Sequence, residues 1–281
     1  MFDIWNQKIT VAEEAYHLDN YKIEYNNAVD NNECVLYFSS NNIWFPNTEE
    51  AFCKSILEND RYEWERKPYR VGRKNIYLRD IYKSWYVQGI NDRINSVDAI
   101  IDWLRKETSG YEVVCIGSSA GGYMAALVGI MLKAKLVFAF SAQFCLYNEG
   151  YYDVNPFLQK YKSDSDKEKY YDITDLVNKS NIPIMYIYPN RCHIDQLQAE
   201  RIIASERVMK YGLNSSHHGI VVNKCNLSNL LNMSREQLRG LVEWDCKSVI
   251  KLSIRMSGIL PTLQYYFKTA LKVLRRKARL K

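Results

Sequence analysis

The chain has 281 residues, of which 47% are hydrophobic and 25% charged, as in an ordinary globular protein with one large core. No run of about 18 apolar residues occurs, which excludes a transmembrane helix, and residues 1–10 lack the apolar centre of a signal peptide. The seven cysteines include no Cys-x-x-Cys pair, and the four histidines make no zinc pattern. We therefore expect a cytoplasmic protein with no disulfide framework, metal or cofactor.

Taken in chain order, the patterns predict an alternation of strands and helices. Residues 3–26 are polar and Tyr-rich with short alternating pieces, which predicts an antiparallel pair of strands. Later strands are predicted at residues 34–40, 75–79, 113–116, 135–140 and 182–188, with residues 207–213 as a candidate for the last one. Helices are predicted at residues 48–57, 96–106, 123–128 and 195–210. This alternation indicates an α/β fold with a mostly parallel central sheet and helices on both faces.

The organisation of the chain follows from two shifts in composition. Residues 1–245 show no linker and are predicted to be one domain. Within them, the Tyr-rich, charged segment 147–175 overlies the carboxyl ends of the strands, as a lid or as an ordinary surface insertion. Residues 246–281 carry ten basic residues and no acidic one, so a body of net charge −4 precedes a tail of net charge +10.

The pentapeptide Gly-Ser-Ser-Ala-Gly at positions 117–121 is the most specific motif in the chain. It follows the predicted strand 113–116 and precedes the predicted helix 123–128, which is the context of a nucleophile elbow. Ser119 is then the nucleophile, and the Ala120 N–H is one donor of the oxyanion hole. A flexible turn or an anion-binding loop is the alternative, whereas the missing Gly-Lys-Ser/Thr excludes a P-loop.

A serine nucleophile needs a base and an acid that orients it, in the chain order serine, acid, histidine. His17 precedes the serine, and His193 lies where the acid is expected. His218 is therefore the predicted base, with the adjacent His217 as the alternative, and a surface pair without a role stays open. Asp195 is the predicted acid because it follows the strand 182–188, although it would also serve as an N-cap.

The remaining site residues come from segments that end other strands. Ser39, Ser40 and Asn41 stand where the strand 34–40 ends, so a backbone N–H of one of them is the predicted second oxyanion donor, and a role in ending the strand is the alternative. Trp44, Trp85 and Tyr86 are candidates to line an acyl or sugar pocket, and burial in the core is the alternative for them.

The set Ser119, Asp195 and His218 on alternating strands and helices resembles the α/β-hydrolase superfamily over residues 35–222. An Arg-Asp pair at positions 79 and 80, a Trp-Tyr pair at 85 and 86, and Gly-Ser-Ser-Ala-Gly-Gly-Tyr from 117 are similar to hydrolases encoded in bacterial capsule and O-antigen gene clusters. The resemblance implies serine-mediated acyl chemistry on a polysaccharide or its lipid-linked precursor. Some members of the superfamily have a degenerate triad, so the fold alone does not imply activity.

The C-terminal tail has apolar residues interleaved with basic ones, and Pro261 is predicted to break it into two helices. A basic amphipathic helix is typical of a protein that lies on an anionic membrane surface, with contacts here from Lys268, Lys272, Arg275 and Arg276. A helix packed on the domain is the alternative. Nucleic acid is not an expected partner, since the chain has no known nucleic-acid motif.

Together these features predict a cytoplasmic, peripheral membrane serine hydrolase or acyltransferase whose substrate is an acylated small molecule or glycan. The alternative is a non-catalytic protein of the same fold that binds glycan or acts as a scaffold in a membrane-associated polysaccharide synthesis complex. The acyl group, the acceptor and the oligomeric state stay open.

Overall fold

The structure, a computed structural model, describes residues 10–66, 69–147 and 155–278, except for the side chains at 10, 273 and 276–278. Within these residues a seven-stranded sheet forms the centre of the molecule. Its strands are β1 (Tyr21–Tyr25), β2 (Glu33–Phe38), β3 (Lys74–Leu78), β4 (Glu112–Ser118), β5 (Leu136–Phe140), β6 (Ile184–Pro189) and β7 (Val208–Leu213). The spatial order is β1-β3-β2-β4-β5-β6-β7; β1 pairs antiparallel with β3, and the other pairs are parallel. The predicted mostly parallel sheet is thus confirmed.

Helices connect the strands and cover both sides of the sheet. They are α1 (Thr10–Tyr16), α2 (Glu49–Phe52), α3 (Val97–Glu107), α4 (Ala120–Met131), α5 (Pro156–Lys160), α6 (Ser165–Glu168), α7 (Thr174–Asn178), α8 (His193–Arg201), α9 (Leu227–Leu231), α10 (Arg235–Glu243), α11 (Val249–Ser257) and α12 (Ile259–Ala278). A π-helix (Cys53–Glu58) continues α2, and a 3₁₀ turn (Lys224–Asn226) precedes α9.

Alternation along the strands divides the core into two layers. On β2, Leu36 and Phe38 belong to the layer that also contains α3 and α4, whereas Val35 and Tyr37 belong to the opposite layer. The second layer is closed by apolar residues of α9, α10 and α11. A mostly parallel sheet with an antiparallel first strand, helices on both faces and a strand–turn–helix at β4 and α4 is the α/β-hydrolase fold.

The N-terminal segment differs from its prediction. Residues 10–16 form α1 rather than a strand, and β1 pairs with the later strand β3. Ala12 and Ala15 of α1 are buried, and alanine and glutamate, which make up most of this segment, favour helix over strand. Residues 3–9 of the predicted strand pair lie outside the described residues.

The predicted helix 195–210 was wrong in its second half. Helix α8 ends at Arg201, and β7 begins at Val208, where the candidate last strand was proposed. Parallel pairing with β6 provides the backbone of β7 with hydrogen-bond partners, so the tertiary environment overrides the helical period of the segment.

The described part of the segment 147–175 packs closely on the body. Phe157 and Leu158 are buried in the main core, and the Tyr123 hydroxyl donates a hydrogen bond to the Tyr170 carbonyl at 2.8 Å. Residues 148–154 of this segment lie outside the described residues. A role as a lid therefore stays a prediction.

The C-terminal tail divides at Gly258, not at Pro261. Gly258 has a φ of +85° and ends α11, whereas Pro261 stands in the first turn of α12, where a missing N–H removes no helical hydrogen bond. Leu252 of α11 is buried in the second core layer, so α11 belongs to the body and α12 alone extends from it. No described helix is long and apolar enough to cross a membrane.

Candidate active site

Ser119 stands on a strained turn between β4 and α4. Its φ of 56° and ψ of −123° lie outside the regions that non-glycine residues usually adopt, at a cost of about 1–3 kcal/mol. The Ser119 N–H donates to the Phe140 carbonyl at 2.8 Å, which ties the turn to the end of β5. The turn therefore lifts the Ser119 side chain above the carboxyl edge of the sheet.

The glycines of the motif are required by close backbone contacts. A Cβ on Gly117 would lie 2.0 Å from the Gly121 carbonyl oxygen, and a Cβ on Gly121 would lie 2.3 Å from the Phe38 carbonyl oxygen. Real Cβ atoms do not approach backbone oxygens this closely, so a side chain at either position would displace α4 from the sheet.

Ser119, His218 and Asp195 form one hydrogen-bonded chain. The His218 Nε2 lies 2.8 Å from the Ser119 Oγ, and the His218 Nδ1 lies 2.9 Å from an Asp195 carboxylate oxygen. Asp195 is 1% exposed, whereas the His218 side chain is 34% exposed. Because an ionised carboxylate only accepts hydrogen bonds, it holds the proton on Nδ1 and leaves the Nε2 lone pair facing the serine hydroxyl.

Asp195 reaches this position from the first turn of α8, which follows β6. The N-cap of α8 is Cys192, so the alternative interpretation of Asp195 as an N-cap was wrong. Burial raises the pKa of the Cys192 thiol, and the neighbouring Asp195 carboxylate raises it further.

The loop after β7 places His218, and not His217, next to Ser119. The Gly219 N–H donates to the Ser141 Oγ at 3.1 Å, and the Ser141 hydroxyl donates to the Gly219 carbonyl at 2.7 Å. Gly219 has a φ of +111°, which favours glycine directly after the histidine. His217 is exposed, and within the described residues its ring makes no hydrogen bond.

Gln143 contacts both Ser119 and His218 and was not anticipated from the sequence. Its Nε2 lies 3.2 Å from the Ser119 Oγ and 3.2 Å from the His218 Nε2, while its Oε1 accepts from the Trp85 indole at 3.0 Å. Since an indole N–H can only donate, Trp85 orients the amide with its NH₂ group towards Ser119. The only signal of Gln143 in the sequence is that it is a polar residue in an apolar run just after β5.

The predicted oxyanion donors differ in their surroundings. The Ser40 N–H already donates to the Glu63 carboxylate at 2.6 Å, and the Ser40 hydroxyl donates to the same group at 3.1 Å. Within the described residues, the N–H groups of Ala120 and Asn41 make no hydrogen bond to the protein. The N–H of Ser40 is therefore occupied, which leaves Asn41 as the available donor of that pair.

A cleft of about 540 Å³ opens beside Ser119 and His218. Its wall combines amide, hydroxyl and charged side chains with the apolar side chains of Phe45 and Ile220, and the polar members are Ser40, Asn41, Asn42, Asn47, Glu63 and Lys83. A second cleft of about 710 Å³ shares Phe45 and Glu63 with it. Burial raises the pKa of the Glu63 carboxyl and lowers the pKa of the Lys83 ammonium to about 8.

The aromatic residues predicted to line the pocket lie in the core instead. Trp44, Trp85 and Tyr86 are each at most 5% exposed, and none belongs to the wall of the cleft, whereas the exposed Phe45 does. Hydrophobic burial therefore outweighed the expectation drawn from their position near the sheet edge.

Trp85 and Tyr86 have positive φ values, and Asp80 holds the loop that contains them. The Asp80 carboxylate accepts backbone hydrogen bonds from Tyr82, Ser84 and Tyr86. Burial nevertheless raises the pKa of Asp80 to about 6. This loop places the Trp85 indole against Gln143 and thereby fixes the orientation of the Gln143 amide beside Ser119.

Comparison with known proteins gives structural neighbours only. No family model matches the chain, and no curated protein matches it. An esterase from the Planctomycetes species Thermogutta terrifontis is 13% identical with a TM-score of 0.44, covering 88% of this chain and 92% of its own. The capsule O-acetyltransferase of Neisseria meningitidis serogroup A is 12% identical with a TM-score of 0.42, covering 80% and 92%. MenH from S. aureus is 10% identical with a TM-score of 0.42, covering 81% and 99%.

At such low identities and TM-scores these neighbours add no functional argument. The assignment of this chain to the α/β-hydrolase fold rests on its sheet order, the elbow after β4 and the positions of the three polar side chains.

Proposed function

We propose that this protein is a serine hydrolase or acyltransferase that works through Ser119, His218 and Asp195. The observation that carries the proposal is the continuous chain from the Ser119 Oγ through both His218 nitrogens to the buried Asp195 carboxylate. Such a chain on a strained elbow activates a hydroxyl that is otherwise a poor nucleophile at neutral pH.

In the proposed reaction, the Ser119 Oγ bonds to the ester carbonyl carbon while its proton moves to the His218 Nε2. The carbonyl oxygen becomes an oxyanion that accepts hydrogen bonds from the Ala120 and Asn41 N–H groups. When the carbonyl re-forms, the bond to the leaving alcohol breaks, and that alcohol takes the proton from Nε2. Water or a sugar hydroxyl then gives its proton to His218 and attacks the acyl carbonyl carbon. When the bond from that carbon to the Ser119 Oγ breaks, Oγ takes the proton back from Nε2, which restores both residues.

Gln143 acts in this scheme as a further group on the reacting oxygen. Its oriented NH₂ donates to the Ser119 Oγ and so limits the rotation of the serine side chain towards conformations that face His218. A neutral hydrogen bond of this kind contributes about 1 kcal/mol.

The proposed substrate is an acylated glycan of the cell surface or its precursor. The cleft wall supports this choice, because the side-chain amide of Asn42 and the NH₂ group of Asn47 are suited to bind sugar hydroxyls. Glu63 and Lys83, which already bind Ser40 and Asn47, can each make a further hydrogen bond there. An acyl group carried by a sugar would place its carbonyl carbon near the Ser119 Oγ while the sugar ring lies against these polar side chains of the wall.

Fluorophosphonate labelling tests the catalytic set directly. We expect the wild-type protein to be labelled at Ser119, and Ser119→Ala to lose both labelling and esterase activity while its circular dichroism spectrum is unchanged. His218→Gln should slow labelling by about 10³-fold or more.

His217→Gln is the matched control, because it removes a histidine one residue away that contacts neither Ser119 nor Asp195. Its labelling rate should equal that of the wild type. Undiminished labelling of Ser119→Ala would refute the assignment, and a folded wild type that is never labelled would favour the non-catalytic glycan-binding or scaffold protein.

A further inference from the structure

The last helix, α12, is attached to the body by one side of its first two turns. It packs against α11, Thr262 is buried, and the Asn223 side-chain amide donates to the Tyr266 hydroxyl at 3.0 Å. Thr262 and Tyr266 are four residues apart and therefore lie on the same side of the helix. The body covers this side.

A second side of α12 exposes large apolar residues to solvent. Leu260, Leu263, Phe267 and Leu274 follow the three-, four- and seven-residue spacing of one helical stripe, and each is between 61% and 67% exposed. We call these four residues the apolar stripe. Contiguous exposed apolar residues of this kind mark an interaction surface, and the body does not provide its partner.

The side of α12 next to the apolar stripe is basic. Lys268, Lys272 and Arg275 are exposed and recur at helical spacing, and no acidic residue occurs anywhere in residues 246–281. Arg276, the fourth predicted contact, has a side chain outside the described residues. The helix therefore combines an uncovered apolar side with an adjoining positive side.

We propose that α12 lies in the surface of an anionic lipid bilayer, with the apolar stripe among the acyl chains and the basic side on the headgroups. A second copy of this helix is a poorer partner, because pairing two apolar stripes would bring two basic sides together with no acidic residue on α12 to offset them. This proposal does not depend on the catalytic one.

A short segment connects the cleft to α12. Ile220 lines the cleft next to His218, and three residues later Asn223 binds Tyr266 of α12.

Vesicle flotation of the full-length protein tests the proposal without any measurement of activity. We expect flotation with vesicles of phosphatidylcholine and phosphatidylserine, and weaker flotation with phosphatidylcholine alone or at high salt. Leu263→Glu with Phe267→Glu should abolish flotation. Lys268→Glu with Lys272→Glu should weaken vesicle binding by at least about tenfold, because each basic residue near an anionic surface adds its own attraction to the headgroups.

Ile203→Glu is the matched control, because Ile203 is 67% exposed but lies outside α12. It should float like the wild type, and all variants should keep the wild-type melting temperature. Failure of the wild type to float, or equal flotation of the stripe variant and the wild type, would overturn the proposal. A wild-type dimer that the stripe variant converts to a monomer, without flotation, would assign the stripe to a second copy instead.

Discussion

Asp195→Asn replaces one buried oxygen of the site and tests whether Asp195 orients His218 during acyl transfer. The carboxylate is 1% exposed and lies 2.9 Å from the His218 Nδ1, whereas the His218 side chain is 34% exposed, so water screens the pair in part. When His218 takes the serine proton it becomes a cation, and the Asp195 carboxylate is the group that meets its charge. Asparagine keeps the shape of the side chain but has no charge to offer.

The expected loss follows from this geometry. Two unit charges about 4 Å apart at an effective dielectric constant of about 20 attract by about 4 kcal/mol, which corresponds to about 10³ in rate. Asparagine can also donate its N–H to Nδ1, which moves the imidazole proton to Nε2 and removes the acceptor that faces Ser119. We therefore expect a loss of about 10³–10⁴ in kcat with little change in KM.

The assay is the steady-state hydrolysis of a soluble aryl ester together with the rate constant of fluorophosphonate inactivation. Asp175→Asn is the matched control, because Asp175 is exposed and its carboxylate pairs with Lys179 away from the site. The role of Asp195 would be refuted if Asp195→Asn kept activity within tenfold of the wild type while His218→Gln was inactive in the same assay.

Two further predictions concern a glycine of the elbow and the buried lysine of the cleft. Gly121→Ala should destabilise the fold by about 3 kcal/mol or more because its Cβ would meet the Phe38 carbonyl at 2.3 Å. Gly240→Ala, inside α10 with open space around it, should instead stabilise by up to about 1 kcal/mol, and equal melting temperatures for the two variants would contradict this. Burial lowers the pKa of Lys83 in the folded protein to about 8, whereas its pKa in the unfolded chain is about 10.4. Between these two pH values the unfolded chain binds more protons than the folded protein, so the free energy of unfolding rises with pH. Relative to Lys83→Met, the wild type should gain up to about 3 kcal/mol of unfolding free energy from about pH 7 to about pH 10 in urea titrations, and parallel pH profiles would contradict this.

The nucleophile elbow could be recognised from the sequence because all its parts are contiguous. The apolar strand, the glycines at 117 and 121 and the following helix lie within about twenty residues, and the steric demands of that turn act over the same short range. The helix at 97–107 was predictable for the same reason, since its Ser96 cap and its apolar face are local features.

Contacts between distant segments were decided by tertiary structure alone. The hydrogen bonds between Ser141 and Gly219 join residues 78 positions apart and select the histidine that faces the serine. Likewise, Glu63 occupies the Ser40 N–H because a separate loop folds onto the end of β2. Sequence periodicity carries no information on such pairings, because it reports which face a residue occupies and not which segment packs against it.

The features of this protein therefore divide into those that local sequence decides and those that packing decides. The sequence by itself determined the position of the serine elbow, because the motif is contiguous in the chain. It also determined the acidic charge of the body and the basic charge of the C-terminal residues, because these depend only on composition. Only the packed structure decided that Gln143 touches the serine, that Trp44 is buried and that the apolar side of α12 is uncovered. Burial and hydrogen bonding are properties of the whole fold, because they depend on which surfaces the other segments leave exposed.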